Sequence, residues 1–151
     1  VVFLIMQFLN DADAQAIAVY LRALPQRAIA PAEVVKPSAA TLERGAKVYE
    51  QHCAQCHGDN GEGKPGAFPA LAGNRAVVLQ DPTNLVRVVL QGGYLPATAG
   101  NPRPHGMPPF MQVLGDDDVA AVSTFVRNAW GNQAPAVGTI GVYRARERRG
   151  S

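Results

Sequence analysis

The stretch that most limits what this chain can become is CAQCH, residues 53–57, which holds both of its cysteines. Two residues separate Cys53 from Cys56, a spacing shared by redox dithiols, by half of a zinc site and by covalent haem attachment. The histidine that follows divides these readings. Thiols so spaced can add to two vinyl groups on one edge of a porphyrin, and His57 then falls under the iron as its proximal ligand. A structural zinc site needs four ligands, yet His52 and His105, the remaining histidines, are not paired at finger-like spacing. A thioredoxin-like dithiol should open a helix in a βαβ unit, and no strand pattern flanks the motif. The stretch therefore predicts one covalently attached haem c, with zinc and a bare dithiol as the weaker readings.

The flanking sequence predicts helices and loops in alternation. TLERGAKVYEQHC, residues 41–53, has helical propensity throughout and leads straight into the motif, with Thr41 or Ser38 placed to cap it. Gly45 and Tyr49 lie eight and four residues before Cys53, on one helical face. A glycine on that face lets another backbone come close. GDNGEGKPGAFPALAGN, residues 58–74, is rich in Gly, Pro and Asn and reads as loop. In DPTNLVRVVLQGG, Asp81 is placed to cap, Pro82 suits the first helical position, Leu85, Val88 and Val89 form a stripe, and Gly92 can end the helix. A last helix is expected from Asp116, where Asp116 to Asp118 suit the positive helix end through capping and the dipole. Val119, Val122, Phe125, Val126 and Ala129 give it a broad apolar face, and Gly131 ends it after Trp130.

Composition narrows the function classes. The chain has 151 residues, 47% hydrophobic and 17% charged, enough for one well-cored domain plus something extra. No window approaches the ~18 to 20 apolar residues that span a bilayer. The opening VVFLIM has neither a basic stretch before it nor a small-residue cleavage site after it, so it does not read as a signal peptide. Charge is uneven: residues 38–133 hold seven Lys/Arg against eight Asp/Glu, residues 1–37 balance at three each, and residues 134–151 carry four Arg and one Glu. The body is near neutral, which argues against a nucleic-acid face. Residues 134–151 are read as a flexible basic tail; docking of its arginines on an acidic partner or an anionic membrane is the weaker account.

On these motifs residues 38–133 resemble a class I cytochrome c domain, an all-α fold of about four to five helices around a covalently bound haem c. The resemblance implies that Gly45 and Tyr49 cross Phe125 on the last helix, with Val122 one turn before it. It implies that the Pro69 carbonyl, in the Pro-x-Leu formed with Leu71, accepts a hydrogen bond from Nδ1–H of His57 and fixes its tautomer. It also implies that Met107, within GNPRPHGMPPF, is the second axial ligand. A simple turn proline is the plainer account of Pro69, and core filler that of a methionine. His105 rivals Met107, since two histidines would lower the potential; Met111 is expected to pack on the final helix. Arg75 and Arg103 lie on loops that could approach the haem propionates, but solvated surface explains each as well.

The start of the chain echoes its last helix. Shifted by 105 residues, MQFLNDADAQAIAVYLRALP (6–25) falls on MQVLGDDDVAAVSTFVRNAW (111–130) with seven identities in twenty, a Met, a Gln, a Leu, two Asp, an Ala and an Arg, and Ile17, Tyr20 and Leu21 match Val122, Phe125 and Val126. Residues 1–25 are thus read as the terminal helix of a preceding cytochrome c-like domain, an extra amphipathic helix here, with 26–37 as linker. FLNDADAQAIAVYLRALP, LAGN, NPRPHGMPPF and VRNAWGNQAP make residues 6–135 similar to the multi-haem cytochrome subunits of membrane-associated bacterial dehydrogenases for alcohols, sugar acids or aldehydes. Those subunits carry three C-x-x-C-H motifs, and this chain has one. A single-haem protein that keeps the helix is the alternative.

The resemblance implies electron transfer by a low-spin haem c with His57 and Met107 as axial ligands and no catalytic residue. The donor would be a periplasmic dehydrogenase, the acceptor a cytochrome or a quinol-linked protein of the respiratory chain. Location would be periplasmic, with membrane association through partner subunits or preceding domains. The alternative is a haem enzyme or gas sensor, which would need an open or histidine-ligated sixth position.

Overall fold

The computed structural model describes residues 9–25, 36–94, 97 and 102–147. VVFLIM, nearly all of the linker expected at 26–37, and Arg148 and Arg149 of the expected tail lie outside those residues. The chain divides into two units, Val1–Pro31 with Pro96–Pro104, and Ala32–Leu95 with His105–Ser151.

The first unit contributes helix α1, Asp11–Ala23. Asn10 caps it, its side chain accepting from the Asp13 N–H at 2.8 Å. Asp11 and Asp13 in the first turn and Arg22 in the last complement the dipole. None of its residues is buried, and Tyr20 and Leu21 are 65% and 55% exposed.

The second unit is all-α, as the motifs imply. Helices α2 (Ala39–His52), α3 (Ala54–His57), α4 (Thr83–Gln91), α5 (Asp116–Val126) and α6 (Thr139–Glu147) follow in order. Its described residues form no named strand, only isolated bridges between Lys64 and Phe68 and between Gly93 and Met107. Ser38 caps α2 by accepting from the Thr41 N–H at 3.1 Å. Pro82 stands at the cap of α4 rather than inside it, and Asp81 accepts from both the N–H and the hydroxyl of Thr83.

The α2–α5 crossing organises the core. A Cβ on Gly45 would collide with the Ala121 carbonyl oxygen and come within 2.7 Å of Phe125 Cβ, so the two backbones touch where a side chain would hold them apart. Tyr49, Phe125 and Trp130 pack ring on ring beside this point, with centroids 4.9 to 5.5 Å apart. The Tyr49 hydroxyl donates to the Gly58 carbonyl at 2.7 Å, tying α2 to the turn after the motif. Chain reversal after α5 falls on Trp130 and Gly131, at φ 53° and 85°.

Two expectations are corrected here. The acids that open α5 make no side-chain cap. They pair outward instead: Asp118 accepts from Arg44 Nε at 2.7 Å, and Asp116 from Arg146 Nε at 2.7 Å, so one cluster ties α5 to α2 and to α6. Nor is the chain beyond 133 a flexible tail as far as residue 147. Ala134 and Val137 are buried, and α6 places Val142 and Ala145 in the core. Besides Asp116, Arg146 donates to the Met111 and Leu114 carbonyls at 2.6 and 3.0 Å. Charge composition suggested a solvated segment; an arginine that closes off backbone carbonyls behaves oppositely, burying its stem while its head stays satisfied.

Candidate functional site

The site grows from the end of α2. Helix α2 stops at His52, Cys53 leaves helical geometry (φ −121°, ψ −39°), and α3 restarts for a single turn. The N–H groups of Cys56 and His57 both donate to the Cys53 carbonyl, at 3.1 and 3.0 Å. This tight turn puts two thiols and an imidazole on one short arc. His57 is buried, and its Nδ1 lies 2.9 Å from the Pro69 carbonyl oxygen. A carbonyl only accepts, so Nδ1 donates to Pro69, which makes Nε2 the ring nitrogen that could bind a metal.

Two spaces that share lining residues adjoin His57. One, of about 250 Å³, is lined almost wholly by apolar side chains, including Leu85, Val89, Phe110 and Val126. The other, of about 540 Å³, adds Cys56, Phe68, Tyr94 and His105. Cys53, His57, Pro69 and Met107 line both. The four residues nearest the expected chemistry are therefore brought to one cleft, with Cys56 on its wider part. His105 lines only the wider space, its ring edge-on to Phe68 at 4.9 Å. Met111 lines neither; it packs against the core. Arg75 is exposed and also lines neither space.

Met107 is positioned by backbone. Its N–H donates to the Gly93 carbonyl at 2.8 Å and its carbonyl accepts from the Gly93 N–H at 3.1 Å. Phe110 and Met111 then donate to the Val89 and Leu90 carbonyls, each at 3.0 Å, so the loop lies along the free end of α4. Gly92, at φ 72°, permits this approach: a Cβ there would strike the Met107 carbonyl oxygen and sit 2.9 Å from Pro109 N.

The weaker readings lose ground on this geometry. Burial first, and then the neighbouring Cys56, push the Cys53 thiol up to about 11. A working redox dithiol needs the opposite, a lowered thiol. Among the described residues no three His, Cys, Asp or Glu side chains gather as a metal would require, which leaves a structural zinc site without its ligand set. The residues do fit a haem c: two thiols on one arc, an imidazole with a free Nε2, a thioether facing the same space, and apolar walls.

One buried residue was not anticipated by the sequence reading. Arg127, 0% exposed, donates from Nη1 to the Val77 and Leu79 carbonyls at 2.8 and 2.7 Å and from Nε to the Pro135 carbonyl at 3.1 Å. The available signal was its recurrence as Arg22 in the internal repeat.

An all-α shell around an apolar cleft, with residues of the C-x-x-C-H run and Met107 together on its lining, defines a protein that carries haem c. The chain belongs to the Cytochrome c family, whose pattern matches residues 42–130. It is 38% identical over 145 residues to the alcohol dehydrogenase (quinone) cytochrome c subunit of Gluconacetobacter polyoxogenes, which covers 89% of this chain and 30% of that protein. It is 34% identical over 143 residues to the gluconate 2-dehydrogenase cytochrome c subunit of Pantoea cypripedii, covering 89% and 32%. Cytochrome c-552 of Thermus thermophilus is 38% identical over 91 residues, covering 58% of this chain and 69% of that one. The chain thus spans about a third of the length of the dehydrogenase subunits it matches.

Proposed function

We propose that the chain is an electron-transfer module holding one low-spin haem c between His57 and Met107, which passes electrons from a periplasmic dehydrogenase toward the respiratory chain. The observation that carries the axial pair is that both side chains line both parts of the cleft, each held by a backbone partner. Bound there, the haem supplies a one-electron Fe(III)/Fe(II) couple. The residues do the rest. Cys53 and Cys56 fix the porphyrin edge, and the Pro69 carbonyl keeps His57 in one tautomer and orientation. Met107 offers a thioether, which favours the reduced iron relative to a second imidazole. The walls around Leu85, Val89 and Phe110 exclude water, and no general base or nucleophile is required.

Similarity to cytochrome c subunits of dehydrogenases supports a dehydrogenase as donor. A periplasmic location at the outer face of the inner membrane, reached through partner subunits, belongs to the same proposal, since attaching haem c to two thiols calls for an oxidising export compartment. The internal repeat supports α1 as the closing helix of a preceding cytochrome c-like domain in a multi-haem parent. The first test is an absorption spectrum of the oxidised and reduced protein. A low-spin spectrum with a near-infrared sulfur-to-iron band is expected, and Met107→Ala should abolish that band and lower the midpoint potential. A low-spin spectrum lacking the band would assign His105 instead, and a high-spin spectrum would favour the enzyme or sensor. Mixing the oxidised protein with a substrate-reduced alcohol or gluconate dehydrogenase tests the direction, with haem reduction expected within the turnover time.

A further inference from the structure

The loop 58–74, which carries the Pro69 carbonyl, closes largely on itself and on His57. Gly63 donates its N–H to the His57 carbonyl at 2.7 Å, and the Leu71 and Ala72 N–H groups donate to the Gly61 carbonyl at 2.7 and 2.9 Å. A Cβ on Gly63 would come within 2.7 Å of the Pro69 carbonyl carbon, so the two strips of the loop lie backbone on backbone. These contacts fold the loop without fastening it to the helices. Among the described residues, its hydrogen bonds to the helical frame come from the Tyr49 hydroxyl at Gly58 and, at the far end, from the amide of Asn132. Asn132 follows the reversal at Trp130 and Gly131, is buried, and has both ends of its amide engaged. Nδ2 donates to the Leu71 carbonyl at 3.0 Å and to the Val126 carbonyl, at the end of α5, at 2.7 Å; Oδ1 accepts from the Gly73 N–H at 3.0 Å. Two carbonyls at one end and an N–H at the other admit a single orientation of the amide.

Leu71 is therefore gripped on both edges, its N–H by Gly61 and its carbonyl by Asn132. Only Ala70 separates it from Pro69, whose φ is locked by its ring. We propose that Asn132 is a positioning residue for the proximal side of the site: by anchoring Leu71 and Gly73 to the end of α5, it keeps the Pro69 carbonyl on Nδ1 of His57 and so sets how strongly the imidazole donates to iron. The assignment rests on the haem c reading above and deepens it. Asn132 touches neither the histidine nor the cleft, and acts through Leu71, Pro69 and His57 in turn. A hydrogen bond weakens steeply as it bends, and the bond at Nδ1 governs both the orientation and the basicity of a metal-bound imidazole. A loop held by its own turns alone would let that bond breathe; one bolted to a core helix holds it at 2.9 Å.

The test uses the haem-loaded chain with Asn132→Ala, Asn132→Gln and, as a matched control, Thr124→Val. Thr124 is wholly buried in α5 and its hydroxyl accepts from the Val137 N–H at 2.9 Å, so its loss removes a buried hydrogen bond that does not reach the loop. The absorption spectrum of the unaltered chain comes first: if it shows no haem c, the underlying reading fails and the positioning role falls with it. With haem present, the readouts are the Nδ1–H proton of His57 in the NMR spectrum of the reduced protein and the midpoint potential. In Asn132→Ala that proton should move upfield and exchange with solvent about tenfold faster. The potential should rise, because a less basic imidazole stabilises the oxidised iron less. Asn132→Gln, which retains an amide, should recover part of both changes. Thr124→Val should be destabilised yet leave proton and potential in place. An Asn132→Ala protein in which neither readout moves, or a Thr124→Val protein in which both move as far, overturns the assignment. If Asn132→Ala does not accumulate, the unaltered chain decides by exchange in sub-denaturing urea. The His57 Nδ1–H and the Gly73 N–H should then lose protection with one common slope, distinct from that of the core amide of Val119, and a His57 proton that does not follow Gly73 overturns the assignment.

Discussion

At the scale of single residues, the molecule depends on a few contacts that admit no substitute. Gly45 is one, since the Ala121 carbonyl occupies the place of its missing side chain. Gly45→Leu should cost about 3 kcal/mol through overpacking, read as a melting temperature lower by about 10 to 20 °C for a domain of this size. This residue was legible beforehand, because a lone glycine on the face that also carries Tyr49 has little reason to be there except close approach. The C-x-x-C-H run was legible for the same kind of reason: five adjacent letters contain the chemistry and its geometry together. Arg127 was not. Its partners are carbonyls of Val77 and Leu79, about fifty positions away, and nothing local distinguishes an arginine that ends in the core from one that ends in water.

At the scale of elements, ends matter more than middles. Asp81 holds the start of α4 through the hydroxyl and then the N–H of Thr83, and these bonds keep its carboxyl below the usual range. A depressed acid contributes stability above its unfolded value, about 3.9, and loses it as the pH falls through the lowered native value. Asp81→Asn should therefore be less stable than the parent at pH 7, with the gap in urea midpoint closing progressively below about pH 4. Helix α6 is the element that composition misjudged. Four arginines in eighteen residues look solvated, yet Arg146 has three partners and Val142 is wholly buried. Arg146→Ala should cost about 2 kcal/mol, given bonds to a charged group at a half-buried site, and amide exchange should rise first across 139–147. The triple-Asp run was only half legible: the acids do occupy the first turn, as the dipole argument expects, but a capping argument sees only the local helix, whereas these acids face Arg44 and Arg146 from other elements.

At the scale of the whole molecule, the two units differ in how they are supported. The second has a continuous core that includes Val48, Leu90, Val119 and Val142. Among its described residues the first has one thirteen-residue helix without a buried side chain, and a helix of that length is marginal in water. A synthetic peptide of residues 9–25 should be mostly coil by circular dichroism. The repeat with 111–130 made this helix legible, but periodicity names a face without naming what covers it. A last consequence concerns competition at the cleft. Because the Gly93 backbone grips the Met107 backbone from both directions, the proposed sulfur donor starts from a tethered strip of chain and stays close to the cleft even when it lets go. Exogenous imidazole or cyanide should therefore bind the ferric protein feebly. Gly92→Val, which pries that strip of chain off α4, should admit such intruders at least about tenfold more tightly, because a donor no longer tethered must be captured anew each time it lets go.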